Sequence, residues 1–389
     1  MAELLNIKTP NVEIKGEHCY SEYTHEKPVV NKTSNGKFTV QSEFTKYMIK
    51  TNLKVPKVGV MLVGWGGNNG STLTASIIAN RDGLKWKTRN GEQSSNYFGS
   101  MILASTTRIG IDENGEDVFV PINSLVPMLN PNDLVIGGWD ISGHNLAESM
   151  ERARVLEPDL QRQVYDEMSK MTPLPSIYYK DFIAANQEER ANNLIKSTNK
   201  KEDLERLRSD IKQFKSKNEL DRVIVLWTAN TERFADIIEG INDTPENVLK
   251  SIEKNHSEIS PSSMFAVASI LEGCPFINGS PQNTFVPGVM KLAEKHDVYI
   301  GGDDFKSGQT KMKSVLVDFL VSAGIKPIAI TSYNHLGNND GMNLNSHAQF
   351  RSKEISKTNV VDDMVTSNQI LYKVFLSFKL KSVNSLIEI

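Results

Sequence analysis

Val58-Gly59-Val60-Met61-Leu62-Val63 runs into Gly64-Trp65-Gly66-Gly67-Asn68-Asn69-Gly70, and then into Ser71-Thr72-Leu73-Thr74-Ala75-Ser76-Ile77-Ile78-Ala79. The first stretch is a near-continuous apolar run, the pattern of a strand buried on both faces in a parallel sheet. The third reads as a helix. Between them, glycines let the backbone approach a pyrophosphate, and the amides at the start of the helix hold its negative charge. The match is inexact. A strict G-x-G-x-x-G places glycine where Asn69 stands, and no acid suited to a ribose emerges about 20 residues further on. A plain glycine-rich turn shares these letters; the strand–loop–helix context favours nucleotide binding.

Similar units recur along the chain. Leu134-Val135-Ile136 leads into Gly137-Gly138-Trp139-Asp140-Ile141-Ser142-Gly143, and Val223-Ile224-Val225-Leu226-Trp227 leads into Thr228-Ala229-Asn230-Thr231-Glu232-Arg233. Each is a hydrophobic strand ending in a polar or glycine loop. In open α/β sheets ligands sit outside the carboxyl ends of the strands, so several such loops count for more than one. The charged stretch 187–220 carries Leu204, Leu207, Ile211 and Phe214 at helical spacing and is expected to lie as an amphipathic helix on the outside of the sheet. A second helical stripe is Met312, Val315, Leu316, Phe319 and Leu320. Lys326-Pro327-Ile328-Ala329-Ile330 then reads as a strand.

At 389 residues the chain has room for two domains and a sizeable core. Its 44 basic and 47 acidic residues leave a net charge of −3, which argues against the basic stripe of a nucleic-acid binder. Cys19 and Cys274 are its only cysteines, so neither a disulfide framework nor a cysteine-rich metal site is expected, and a reducing compartment fits. The start, Met1-Ala2-Glu3-Leu4-Leu5-Asn6-Ile7-Lys8, has no signal-like apolar core, and no run approaches a membrane span. Cytoplasm, with no membrane and no nucleic-acid partner, is the expectation. The seven histidines are scattered without metal spacing, so no metal site is expected. No serine nucleophile elbow occurs. Residues 1–54 are polar and mixed, suited to edge strands or to wrapping a neighbouring surface.

Polar chemistry concentrates between Gly301 and Lys357. Gly301-Gly302-Asp303-Asp304-Phe305-Lys306-Ser307-Gly308-Gln309-Thr310 sets two aspartates and a lysine just before a helix, a natural phosphate seat. An ordinary capped turn would read the same way. Ser332-Tyr333-Asn334-His335-Leu336-Gly337-Asn338-Asn339-Asp340-Gly341 offers amides suited to a polyol, although these residues also favour surface turns. In Arg351-Ser352-Lys353-Glu354-Ile355-Ser356-Lys357, a helix would place Lys353 and Lys357 on one face. Like charges there repel unless an anion offsets them. A phosphate or an enolate is such an anion; a solvated basic face is the plainer alternative. Asn278-Gly279-Ser280-Pro281-Gln282-Asn283-Thr284 reads as a further loop, either a helix start or another cleft wall.

Taken in order, Gly64–Ser71, Leu226–Arg233, Asn278–Gly288, Gly301–Thr310, Ser332–Gly341 and Arg351–Lys357 closely resemble the eukaryotic inositol-3-phosphate synthases, also called myo-inositol-1-phosphate synthases. The resemblance covers most of the chain, to about Tyr372. It implies an α/β fold, a Rossmann-like NAD-binding domain with an inserted α+β catalytic and tetramerisation domain. The corresponding division is 1–54 as an extension, 55–300 as the NAD-binding domain, 301–372 as an incomplete catalytic and tetramerisation domain, and 373–389 as a divergent tail.

The implied activity is isomerisation of glucose 6-phosphate to inositol phosphate with NAD, in a homotetramer. C5 of the open-chain sugar is oxidised, C6 loses a proton, the enolate attacks the C1 aldehyde, and C5 is reduced again. The base is either a lysine or the phosphate of the substrate. The resemblance assigns Lys353, Lys357, Asp304 and Asp340 to catalysis, and Lys306, Ser307, Gly308, Asn334 and Asn338 to the substrate. It assigns Gly64, Gly66, Gly67, Asn68, Asn69, Asp140, Thr228, Ala229, Asn230, Thr231, Gly279, Ser280 and Asn339 to NAD. The family pattern continues beyond this chain and carries further active-site lysines. A C-terminally shortened chain lacking strands of the cofactor domain is therefore the expectation. Two other readings stand beside the synthase: a shortened, inactive relative that binds NAD or regulates full-length subunits, and an NAD-dependent sugar-phosphate dehydrogenase.

Overall fold

The computed structural model describes residues 8–306, 308–335, 338–372 and 385–388. The chain separates into two compact units, Met1–Lys57 with Asn96–Asp133, and Val58–Ser95 with Leu134–Ile389. In the first, Val12–Lys15, His18–Lys32 and Phe38–Asn52 form an antiparallel sheet, and Thr106–Ile111 pairs with Asp117–Pro121 as a hairpin. The two 15-residue strands are exposed along most of their length, with Val30, Phe38, Val40, Phe44 and Met48 among the uncovered side chains. The grouping of 96–133 with the N-terminal strands has no local signal in the sequence.

The second unit is built on six parallel strands: β1 (Val58–Val63), β2 (Val135–Asp140), β3 (Leu174–Pro175), β4 (Arg222–Trp227), β5 (Phe276–Asn278) and β6 (Ile300–Gly302). Their spatial order is β3-β2-β1-β4-β5-β6. This is the doubly wound order, and the winding reverses between β1 and β4. The register is flush: Val63 lies opposite both Trp139 and Trp227, Trp227 opposite Asn278, and Asn278 opposite Gly302. All the loops that the sequence singled out after strands therefore leave one edge of the sheet together.

Helices cover both faces. Lys200–Lys217 starts at Asn199, whose side chain accepts from the Glu202 amide, and it buries Leu204, Leu207 and Ile211. Each fully buried aliphatic side chain of this kind contributes about 1.5–3 kcal/mol. The helix is shorter than the charged stretch 187–220; Ala185–Arg190 is a separate short turn of 3₁₀ helix. Phe214 lies across the sheet over Gly59 and Gly137, where a Cβ at either glycine would stand 2.6 Å from its ring. Those two strand glycines make room for the ring.

The helix Gly308–Ser322 forms as its spacing predicts, but its orientation differs from a core stripe. Met312, Val315, Leu316 and Phe319 are exposed, while Thr310, Lys313, Ser314, Val317 and Val321 face inward. The inward side is the one whose polar groups find partners on His347–Asn359. The strand expected at Lys326–Ile330 is irregular chain, and the strand lies later, at Ser332–His335, paired in parallel with Ser385–Glu388. A Pro327 without an amide hydrogen suits the irregular segment better than a ladder. Among the described residues, no helix is long and apolar enough to cross a membrane.

Candidate functional site

A cleft of about 850 Å³ opens along the carboxyl edge of the sheet, at the point where the winding reverses. Its floor is the loop after β1. Gly64 sits at φ +88°, and a Cβ there would stand 2.7 Å from the Cα of Ala229. Only glycine meets both demands. The Gly64 and Trp65 amides both donate to the Trp139 carbonyl, at 2.8 and 3.0 Å, which ties the loop to β2. The helix Asn68–Arg81 follows with Gly67 as its N-cap, without a capping side chain and without an acid in its first turn. Its positive end is left for an anion.

The irregular glycine spacing has a structural answer. A Cβ at Gly70 would lie 2.3 Å from the Trp65 carbonyl oxygen. Gly70, one place later than the strict pattern, permits the close approach of helix to loop. Asn69 instead reaches across the cleft, its Nδ2 at 3.5 Å from the Thr228 carbonyl.

An acid does stand at the end of a strand, farther along the chain. Asp140 ends β2, the position of the ribose-binding acid in doubly wound folds. Spacing from Gly64 hides it because residues 82–134 intervene between the first helix and β2. Asp140 is 3% exposed, lines the cleft and accepts the Ser142 amide at 2.9 Å. Burial pushes its carboxyl above the usual range, against the opposing pull of the Ser142 amide, Arg190 and Arg152.

The loops after β4 and β5 form the opposite wall. The Thr228 amide donates to the Val63 carbonyl at 2.9 Å, and Ser280 Oγ donates to the Ala229 carbonyl at 2.8 Å. Thr228, Ala229, Asn230, Thr231, Gly279 and Ser280 all line the cleft, with Gly64, Gly67, Asn68 and Asn69. Gly66 lies against Asp140, whose Oδ2 would be 3.2 Å from a Cβ there.

At the far end lie Asp304 and Lys353. The helix His347–Asn359 presents Lys353 and Lys357 one turn apart, and both ammoniums meet Asp304 Oδ2, at 3.0 and 2.8 Å. Lys357 Nζ also donates to Thr310 Oγ1 at 2.7 Å. The repulsion expected of this pair is offset by a shared carboxylate, and the three side chains are each less than 20% exposed. Beneath them Lys313, which the sequence reading passed over, donates to the Lys357 carbonyl at 2.9 Å. Burial lowers its pKa, and Lys357 and Lys306 add to the effect. Its only trace in the sequence is a lysine on the face of Gly308–Ser322 opposite the apolar stripe.

Gly308 begins that helix and is exposed, and Lys306 is exposed in the loop before it. Ser307 lies outside the described residues. Asn334 is on the strand Ser332–His335, and Asn338, Asn339 and Asp340 open the helix Asn338–Leu344; their side chains lie outside the described residues. Asn343 of the same helix donates to the Thr231 carbonyl at 3.2 Å, which holds that helix against the cleft wall. Cleft-lining residues that carried no sequence signal include Ser176, Ile177, Ile183, Gln187 and Arg190, from the segment between β3 and the helix Lys200–Lys217.

Glu232 connects the cofactor wall to the lysine helix. It is 1% exposed, accepts the Ser262 amide at 3.1 Å, and its carbonyl accepts from Ser352 Oγ at 2.8 Å. Burial pushes its carboxyl up to about 8. From about 4.5 to about 8 the unfolded chain releases this proton and the folded chain keeps it, so stability falls with rising pH across that window. Glu232→Gln is expected to remove the loss, gaining on the parent by roughly 4 kcal/mol between pH 5 and pH 8. Urea unfolding of both proteins at several pH values measures it; parallel curves would show that the carboxyl does not titrate there.

The strand order, the uncapped helix at the reversal point and the acid at the end of β2 define a dinucleotide-binding α/β protein. An NAD-binding family model described as myo-inositol-1-phosphate synthase matches residues 58–380. Inositol-3-phosphate synthase of Dictyostelium discoideum is 57% identical over 373 residues, covering 96% of this chain and 73% of the relative. Inositol-3-phosphate synthase 1 of Populus euphratica is 59% identical over 374 residues, covering 95% and 73%. The crystal structure of inositol-3-phosphate synthase from Caenorhabditis elegans superposes with a TM-score of 0.91 at 54% identity, over 95% of this chain and 72% of that one. The chain belongs to the myo-inositol-1-phosphate synthase family, and its cofactor is NAD.

Proposed function

We propose that the chain is an inositol-3-phosphate synthase, converting glucose 6-phosphate into 1D-myo-inositol 3-phosphate with no net redox change. The observation that carries this is the junction of a dinucleotide cleft with two lysines held by one aspartate. The cleft residues fit NAD. Glycines free of side chains and an uncapped helix end suit a pyrophosphate, and a buried acid suits a ribose. Gly64, Gly66, Gly67, Asn68 and Asn69 would hold the pyrophosphate, Asp140 the ribose, and Thr228, Ala229, Asn230, Thr231, Gly279, Ser280 and Asn339 the remainder. Bound there, NAD supplies a reversible oxidation at one sugar carbon.

The residues of the chain supply the electrostatics. An enolate and then an alkoxide develop as the ring closes, and preorganised cations lower the energy of such charge most in a site shielded from water. Lys353 and Lys357 are that pair, and Asp304 fixes their positions before substrate arrives. Lys306, Ser307 and Gly308, at the start of the next helix, are proposed to seat the phosphate. Asn334 and Asn338 bind hydroxyls, with Asp340 beside them. The cofactor part 55–300, the catalytic segment 301–372, a homotetramer and a cytoplasmic setting belong to the same proposal.

Incubating the chain with glucose 6-phosphate and NAD tests the reading. Inositol phosphate is expected to accumulate over many turnovers while NADH stays at or below the enzyme concentration. Accumulating NADH would show a dehydrogenase instead. NAD binding without product would leave a cofactor-binding or regulatory relative.

A further inference from the structure

Beside the main cleft lies a second cavity of about 540 Å³, whose lining includes Asn68, Ser142, His144, Arg152, Glu189 and Arg190. Asn68 and Arg190 also line the main cleft, so the two adjoin. Asp140 stands where they meet: it lines the main cleft, accepts the Ser142 amide at 2.9 Å, and its Oδ1 is 3.8 Å from Arg190 Nη2. Arg152 is anchored by a 2.7 Å bond from Nη2 to the Gly66 carbonyl. Arg190 Nε is buried with no hydrogen-bond partner. One carboxylate is therefore flanked by two guanidiniums in a space larger than a ribose hydroxyl needs. Glu189, exposed on the rim, is the acid in the lining of this cavity, whereas Asp140 belongs to the lining of the main cleft.

The acid at the end of the second strand of such a fold meets the 2′-hydroxyl of the adenosine ribose, and a nearby arginine is what accommodates a 2′-phosphate. This chain carries both features at one corner. We propose that Asp140 alone restricts the chain to the unphosphorylated dinucleotide, and that Arg152 and Arg190 form a latent 2′-phosphate seat which a neutral residue at position 140 uncovers. The inference rests on the NAD reading of the cleft. A 2′-phosphate beside Asp140 sets like charges together in a buried place, which is costly. With that charge removed, the planar forks of the arginines match phosphate oxygens.

Calorimetric titration of NAD and NADP into the intact chain, Asp140→Asn and Asp140→Asn/Arg190→Met tests this without any turnover. Asparagine keeps the acceptor for the Ser142 amide. The parent chain is expected to bind NAD about a hundredfold more tightly than NADP, and Asp140→Asn to narrow that ratio to about tenfold or less, through tighter NADP binding. Adding Arg190→Met is expected to cancel the gain. An Asp140→Asn chain that binds NADP no better than the parent overturns the proposal, as does a gain that survives in Asp140→Asn/Arg190→Met. If Asp140→Asn does not fold, judged by circular dichroism, Arg190→Glu in the parent replaces it. That variant should weaken NADP about tenfold more than NAD, and equal weakening overturns the proposal. A parent chain that does not bind NAD fails the cleft reading itself, and the first titration reports that separately.

Discussion

Lys353→Met/Lys357→Met is expected to reduce inositol phosphate formation by at least about 10⁴-fold, and Lys357→Met alone by about 10³-fold. Losing a single preorganised donor to a developing oxyanion costs about 10²–10³ in turnover. The two ammoniums also share Asp304 Oδ2, so they act as a unit and their losses will not simply multiply. Lys357 is given the larger single effect because it is the more constrained. Asp304, Thr310 and the Lys313 bond to its carbonyl hold it from three sides. Methionine retains the apolar stem, so packing of the helix His347–Asn359 against Phe182 and Glu232 through Gln349 and Ser352 should survive. NAD affinity is expected to change less than about tenfold, since the seat proposed for the pyrophosphate is the uncapped helix end after β1, on another loop of the cleft. Parallel turnover assays and NAD titrations check this. A double variant turning over within tenfold of the parent would remove the lysine pair from the chemistry.

The fold was legible where pattern is local. Val58–Val63, Val135–Asp140 and Arg222–Trp227 are apolar runs closed by glycine or polar loops, and each is a strand of one parallel sheet. The paired lysines were legible for the same reason, because spacing of four on a helix is a short-range property. What escaped depends on distant parts of the chain. Asp140 was assigned to NAD through the family resemblance alone; spacing could not place it because an excursion of residues 82–134 precedes its strand. Arg152 and Arg190 reach the same corner from different segments, and neither belongs to a motif. The stripe Met312, Val315, Leu316 and Phe319 has the period of a core face yet is exposed, because Thr310 and Lys313 on the inward side meet the lysine helix. Periodicity identified the helix; only tertiary contacts fix which side turns inward.

Gly70→Ala is the second large expected effect, and it tests why the glycine loop departs from the common spacing. Alanine is normally the better helix residue by about 1 kcal/mol. Here that gain is outweighed. The added Cβ would stand 2.3 Å from the Trp65 carbonyl oxygen and 2.7 Å from its Cα, and both are backbone atoms. Trp65 cannot retreat easily: its amide donates to Trp139 at 3.0 Å, its Nε1 donates to Thr74 Oγ1 at 3.0 Å, and it is 5% exposed. The start of the helix must move instead, which turns the Asn68 and Asn69 amides away from the proposed pyrophosphate seat. A net destabilisation of about 1–3 kcal/mol is expected from the overpacking, with NAD affinity reduced about a hundredfold as the helix end loses its aim. Asn69→Gly is the counterpart. It restores the common pattern on paper but removes only a 3.5 Å contact to Thr228, at a cost near 1 kcal/mol from glycine in a helix. It should leave NAD affinity within about tenfold. Thermal unfolding and NAD titration of the two variants decide the matter. If Gly70→Ala bound NAD normally and Asn69→Gly did not, the close approach at Gly70 would not be what shapes the pyrophosphate seat.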